Sequence, residues 1–226
     1  MIPKPEANSG FWPAHQVHDA LSAASVNGIK HRPAQTRRAV PDDLLFVTIY
    51  QLKLTLKDSK PPIWRRLQVR SDATLDQLHY TFQVAMGWTN SHLHQFAVGS
   101  VWFGDPYPED GFDVIDERLV QLGQIVRRVK DKFVYEYDFG DRWQHETVVE
   151  KRLKPEANPL YPRCLAGKRH CPPEDVGGVW GYGHFLEAIG DTEHPEHADY
   201  LKWVGGSFDP VAFDLEDVNQ RLKQLR

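Results

Sequence analysis

Apolar and polar positions first fall into order at residues 43–57, DLLFVTIYQLKLTLK, where Leu44, Phe46, Tyr50, Leu52, Leu54 and Leu56 share one parity. Polar residues occupy the other parity from Gln51 onward, so a strand is expected, buried on both faces at its start and on one at its end. DSKPP interrupts it, because proline cannot donate to a ladder. IWRRLQV resumes the pattern, with Ile63, Leu67 and Val69 on one face and Trp64 on the other, as the antiparallel partner. In TLDQLHYTFQVAMGW the period changes. Leu75, Leu78, Phe82, Ala85 and Met86 recur at helical spacing, Thr74 and Gln77 fit a capping box, and Gly87 is placed to stop the helix.

HLHQFAVGSVWFG reads as one strand with His92, His94, Phe96 and Val98 on one side, followed by a DPYPEDG loop. DERLVQLGQIVRRV predicts a short helix with Leu119, Leu122, Val126 and Val129 as its apolar stripe. FVYEYDFGDRWQHETVVE predicts a hairpin. Phe133, Tyr135, Tyr137 and Phe139 share one face, and Trp143, His145, Thr147 and Val149 continue beyond Gly140-Asp141-Arg142. A three-residue turn sets Phe139 against Trp143 and Tyr137 against His145, keeping the aromatics on one buried face. Residues 155–178 read as a long proline- and glycine-rich connection, and three helical pieces follow, the last capped by Asp214. Strands early and helices late imply an α+β fold: an antiparallel sheet packed with helices, with additional helices at the C-terminus.

Composition narrows the class. The 226 residues are 41% hydrophobic and 26% charged, the balance of a soluble globular protein, and no apolar run is long enough for a membrane helix. The chain reads as a leader, 1–43, without an apolar stripe, followed by one domain, 44–226. Two cysteines are too few for a secreted disulfide framework, so a reduced, cytoplasmic setting is expected. A net charge of −4 does not favour a phosphate-binding surface, and from Glu174 onward eleven acids face four bases. Nucleic acid is expected only at Lys30, Arg32, Arg37 and Arg38, which have no acid among them.

The DFG at 138–140 lacks every other kinase element, and no Walker, dinucleotide-binding or nucleophile-elbow motif is present. Cys164 and Cys171 sit in proline-rich surroundings with no evident helix N-terminus to lower a thiol pKa. With His194 and His197 they form a conceivable zinc set, although six residues between the cysteines is wider than usual. His92 and His94 alternate onto one strand face, as two imidazoles chelating one ion must. Asp138, Asp141 and His145 lie at the next hairpin, giving with them a nitrogen- and carboxylate-bearing set suited to a divalent metal such as zinc. The alternative is structural: a turn-capping His92, a core His94, and a His145 stacked on Tyr137.

These segments together resemble the plasmid pRiA4b ORF-3-like family, also described as passenger (TnpR-type) proteins of IS1096-like insertion elements. The resemblance rests on IWRRLQV, TLDQLHYTFQVAMGW, HLHQF, YDFGDRWQHETVVE, CPPEDVGGVWGYGHFLEAIGD, HPEHADYLKWVGG and FDPVAFDLEDVN, across roughly 44–222. It implies an α+β domain on an antiparallel sheet and little about activity. No serine-recombinase motif or basic helix-turn-helix tail accompanies it.

The reading adopted is a small-ligand or protein-interaction module. Its polar pocket over an aromatic floor would draw on His92, His94, Asp138, Asp141, Arg142, Trp143 and His145. Two others stay open: a metal-dependent (hydrolytic) enzyme using His92, His94 and His145 with Asp138 and Asp141, and a DNA-associated accessory protein of mobile elements.

Overall fold

The first strand runs where its parity requires. β1 (Ile49–Leu56) turns Tyr50, Leu52, Leu54 and Leu56 into the core, and β2 (Trp64–Arg70) pairs antiparallel with it, Leu52 opposite Leu67. Helix α1 (Leu75–Met86) starts at Thr74, whose N–H donates to Gln77 Oε1 at 3.2 Å, and stops at Gly87 in the left-handed region, φ 104°. These residues belong to a computed structural model that describes residues 47–106, 114–156 and 160–225. Leu44, Phe46 and the expected leader 1–43, with Lys30, Arg32, Arg37 and Arg38, lie outside the described residues, as does most of DPYPEDG.

Beyond α1 come β3 (His94–Val98), β4 (Val101–Gly104), β5 (Val114–Asp116), a 3-10 turn (Glu117–Leu119) and the one-turn helix α2 (Leu122–Ile125). The long hairpin is β6 (Lys132–Tyr137) and β7 (Trp143–Leu153), followed by β8 (Arg163–Lys168). Helices α3 (Gly178–Gly190), α4 (His197–Trp203) and α5 (Leu215–Leu222) close the chain, and Asp214 caps α5 by accepting from the Glu216 and Asp217 N–H groups. The strands form one sheet, β5-β4-β3-β6-β7-β1-β2-β8, antiparallel except for the β4–β5 pair. This is the α+β architecture expected. No described helix is long and apolar enough to cross a membrane.

One face of the sheet meets α1, where Phe82 contacts Phe96, Phe133 and Tyr135 at ring separations of 5.2–6.4 Å. The other face is polar: Arg66 donates two hydrogen bonds to Glu150, which also accepts from Gln51, and Lys132 pairs with Glu146. An antiparallel sheet tolerates that asymmetry, one face in the core and one in water.

Four expectations need correction. HLHQFAVGSVWFG is two strands, because Gly99, at φ 60°, and Ser100 fold it into a tight hairpin, and His92 precedes the strand. The expected helix over 116–129 is a 3-10 turn and a separate short helix, and Leu119 is 75% exposed, so the stripe does not exist. The β6–β7 register places Tyr137 against Trp143 and Tyr135 against His145. The turn therefore spans 138–142, Asp138 and Arg142 adopt φ near +60°, and Phe139 swings out to 47% exposure. A slip of two residues preserves parity, which is why the buried aromatic face survived the wrong turn length. Finally, the connection at 155–178 contains β8, an edge strand pairing with β2.

Arg65 departs from its surroundings. It occupies the apolar parity of Ile63 and Leu67 and is buried, and its hydrogen bonds go to backbone carbonyls. Its Nε–H bonds the Ala85 carbonyl at the end of α1 at 2.7 Å, another N–H bonds the Lys168 carbonyl on β8 at 3.1 Å, and the guanidinium lies 4.5 Å over Phe213. It ties helix to edge strand by donating to a carbonyl of each.

Candidate functional site

The sequence candidates separate into three environments. Trp143 and His145 face inward from β7 and are fully buried. His145 lies between Trp88 and Tyr135, with ring separations of 5.3 and 5.6 Å. Burial pushes its pKa down to about 3; nearby backbone of Trp143 and Tyr135 offsets this weakly, yet neither ring nitrogen has a partner in hydrogen-bonding geometry. His94 sits on the far side of Tyr135, 6.1 Å from that ring. Strand β6 runs between the strands that carry the two histidines, and among the described residues His92, His94 and His145 do not bring their ligand atoms together.

Asp141 and Arg142 point elsewhere. Asp141 Oδ2 accepts from the Gly177 N–H at 3.1 Å, and Arg142, largely exposed, approaches Glu136 at 3.4 Å. Both line a second cleft of about 1170 Å³ beside the start of α3.

His92 and His94 border a different cleft of about 1120 Å³, whose aromatic walls are Tyr80, Trp102 and Phe139. At its floor His94 Nε2 lies 3.0 and 2.9 Å from the two oxygens of Glu117. The His94 ring stacks on His79, with centroids 3.4 Å apart and planes 9° from parallel. His79 is buried, and its ring nitrogens reach the Tyr135 hydroxyl at 2.8 Å and Asn90 Oδ1 at 2.7 Å. Burial, and secondarily the adjacent His94, holds His79 down at about 3, so it is neutral. Asn90 Oδ1 can only accept, which puts the ring proton on Nε2 and leaves Nδ1 to accept from Tyr135. Gln83 completes the chain, donating to the same hydroxyl at 2.8 Å and accepting the Asn90 N–H at 3.0 Å. This buried network holds the stacked pair rigidly beneath the cleft.

At the cleft's other end, His92 Nε2 is 3.2 Å from Asp175 and 3.7 Å from Asp138. Asp175, His79 and Glu117 were not among the sequence candidates. His79 was findable, since Leu75, Leu78, His79 and Phe82 share one face of a helix. Glu117 and Asp175 arrive only through tertiary contact.

The cysteines do not form the other conceivable set. Burial pushes the Cys171 thiol up to about 12 and also raises Cys164, the opposite of nucleophile activation. His197 Nδ1 lies 2.9 Å from the Ala188 carbonyl, and His194 groups with His184 and Glu196, not with sulfur.

A family model for plasmid pRiA4b ORF-3-like proteins matches residues 48–217. The chain is similar to the uncharacterized protein y4hQ of Sinorhizobium fredii, 41% identical over 183 residues, 80% of this chain and 94% of that protein. It is also similar to the crystal structure of a protein of unknown function, MM3350 from Methanosarcina mazei Go1. The TM-score is 0.70 at 38% identity, covering 76% of this chain and 98% of that one.

Proposed function

This chain belongs to the plasmid pRiA4b ORF-3-like family, and we propose that it is a binding module for a small planar organic cation held in the cleft above His94 and Glu117. Glu117 carries the reading. The residue is only 4% exposed, yet both its oxygens share a single N–H, that of His94, among the described residues. A carboxylate has about four acceptor positions, so most of this one's capacity faces the cleft unused. Leaving buried acceptors unpaired is costly, and a ligand N–H group would supply the missing donor.

The walls suit the same chemistry. Tyr80, Trp102 and Phe139 are partly exposed aromatic surfaces, which attract cations across their faces. Asp76 also borders the cleft, and one of its carboxylate oxygens, Oδ1, has no hydrogen-bond partner. Arg118, the cleft's arginine, is engaged by Asp105 at 3.1 Å and Asp116 at 2.8 Å.

Benzamidine tests this, combining a planar ring with a charged amidine. Titration followed by two-dimensional NMR is expected to give saturable shifts at cleft residues. Glu117→Gln, which keeps the shape and removes the charge, is expected to weaken binding at least about tenfold, a difference of roughly 1.4 kcal/mol. Equal binding by the variant, or no saturable shift in the parent protein, sinks the reading.

A further inference from the structure

Three side chains from three separate segments converge beside the cleft: His92 from the turn before β3, Asp138 from the β6–β7 turn, and Asp175 from the loop before α3. We propose that they form a site for a divalent transition-metal cation of the zinc class. The ligand atoms all lie within 4.8 Å of one another, and His92 Nε2 is 3.2 Å from Asp175 Oδ1 and 3.7 Å from Asp138 Oδ2. Donors at tetrahedral angles on a shell of about 2 Å stand roughly 3.3 Å apart. The trio is close to the spacing that a shared ion imposes.

Hydrogen-bond accounting points the same way. His92 Nε2 is shielded from solvent and, although two carboxylates approach it, makes no hydrogen bond of acceptable geometry. Asp138 is 7% exposed; its Oδ1 accepts from the Gly140 N–H at 2.9 Å and the Asp141 N–H at 3.3 Å. Its Oδ2 accepts nothing from the described residues and faces His92. One oxygen anchored by backbone and the other directed at a common point is how ligating carboxylates are held. A neutral imidazole and two carboxylates carry a charge of −2, which a divalent cation offsets. The mixture of one nitrogen and two oxygens suits zinc or manganese and leaves positions for water or a ligand donor.

The fold supplies the geometry in advance. Asp141 bonds the Gly177 N–H, and the Tyr137 hydroxyl donates to Glu174 while accepting the Ser91 and His92 N–H groups. A Cβ on Gly178 would come within 2.5 Å of the Asp141 carbonyl oxygen, so the two loops interlock at a position only glycine fits. These contacts join the segments that carry all three ligands.

The internal competitor is His184, His194 and Glu196, whose ligand atoms also lie close together. Its residues already hydrogen-bond one another: His184 Nε2 is 2.7 Å from Glu196, and His194 Nδ1 accepts the Glu196 N–H at 3.2 Å.

The test is calorimetric titration of zinc alone into the full-length, chelator-treated protein, with cobalt substitution to read the ligand field. One equivalent is expected to bind, with tetrahedral cobalt bands. His92→Gln and Asp175→Asn are each expected to weaken binding at least tenfold, and the paired His184→Ala and His194→Ala changes to leave it intact. The Asp175 side chain is 72% exposed, so that variant keeps its fold even if His92→Gln does not. Unchanged affinity in Asp175→Asn, loss only with the His184/His194 pair, or no zinc binding at all overturns the proposal. The inference is independent of the organic-cation reading. Benzamidine titrated into metal-free Asp175→Asn reports on Glu117 alone, so either can fail without the other.

Discussion

The core beneath α1 and the rim of the cleft hold the same kinds of side chain under opposite conditions. In the core, His145, Trp143 and Tyr135 are enclosed on every side, and burial suppresses the charge of His145. At the rim, His92 just before β3, His94 at its first position and Phe139 in the β6–β7 turn meet carboxylates and open space instead. Residue type and parity do not distinguish the two regions. What closes over them does: Trp88, just past α1, packs on Trp143 and His145, whereas His94, stacked on His79 of α1, borders the cleft and Phe139 sits in the turn beyond β6. Aromatics and histidines that are covered hold the fold together, and those that border the cleft are available to bind.

The largest effect that would break this comparison lies in the core. Trp143 is fully buried, and Trp143→Ala is expected to cost about 3–5 kcal/mol, the range for large-to-small core changes. Denaturant unfolding measures it. A loss below about 1 kcal/mol would mean that this end of β7 is loosely packed, and the distinction between covered core and cleft rim would collapse.

Titration sharpens the comparison next. The folded pKa of His79 and His145 is about 3, against 6.5 when free. As pH falls below 6.5 the unfolded chain takes up protons that the folded chain refuses. Stability is therefore complete above that pH and is lost progressively down to about pH 3. Between pH 7 and 5 each histidine is expected to remove about 2 kcal/mol. Unfolding curves at both pH values check the sum, and His145→Gln is expected to remove roughly half of the pH dependence. An unchanged dependence in that variant would show that His145 protonates in the fold.

Much of the core was legible because it obeys short periods. Parity identified β1, β2 and the inward faces of β6 and β7, and Thr74, Gln77 and Gly87 bounded α1. What escaped lacks a local period. β8, RCLAGK, is a half-covered edge strand among prolines, and β5 is three residues long. Arg65 sits on an apolar parity because two carbonyls distant in sequence accept from it. The rim was legible only in part. Of the wider set named from the sequence, His92 and Asp138 lie 3.7 Å apart, but Asp175 and Glu117 join the rim through loop docking, which no spacing in the chain encodes.

The smallest expected effect is the most discriminating. Sequence reading set Phe139 opposite Trp143 in the core, whereas the five-residue turn leaves it at the cleft wall. Phe139→Ala is therefore expected to change stability by no more than about 0.5 kcal/mol, as surface substitutions do. The same change removes an aromatic face worth about 0.5–1 kcal/mol to a cation at a partly exposed site, so benzamidine affinity is expected to fall about two- to fivefold. Denaturation and benzamidine titration of one variant separate the regions directly. If stability drops by more than 1 kcal/mol while affinity holds, Phe139 belongs with Trp143 after all. If affinity drops alone, the end of the hairpin is a binding wall, and the glycine and left-handed residues of its turn serve to carry one aromatic ring out of the core.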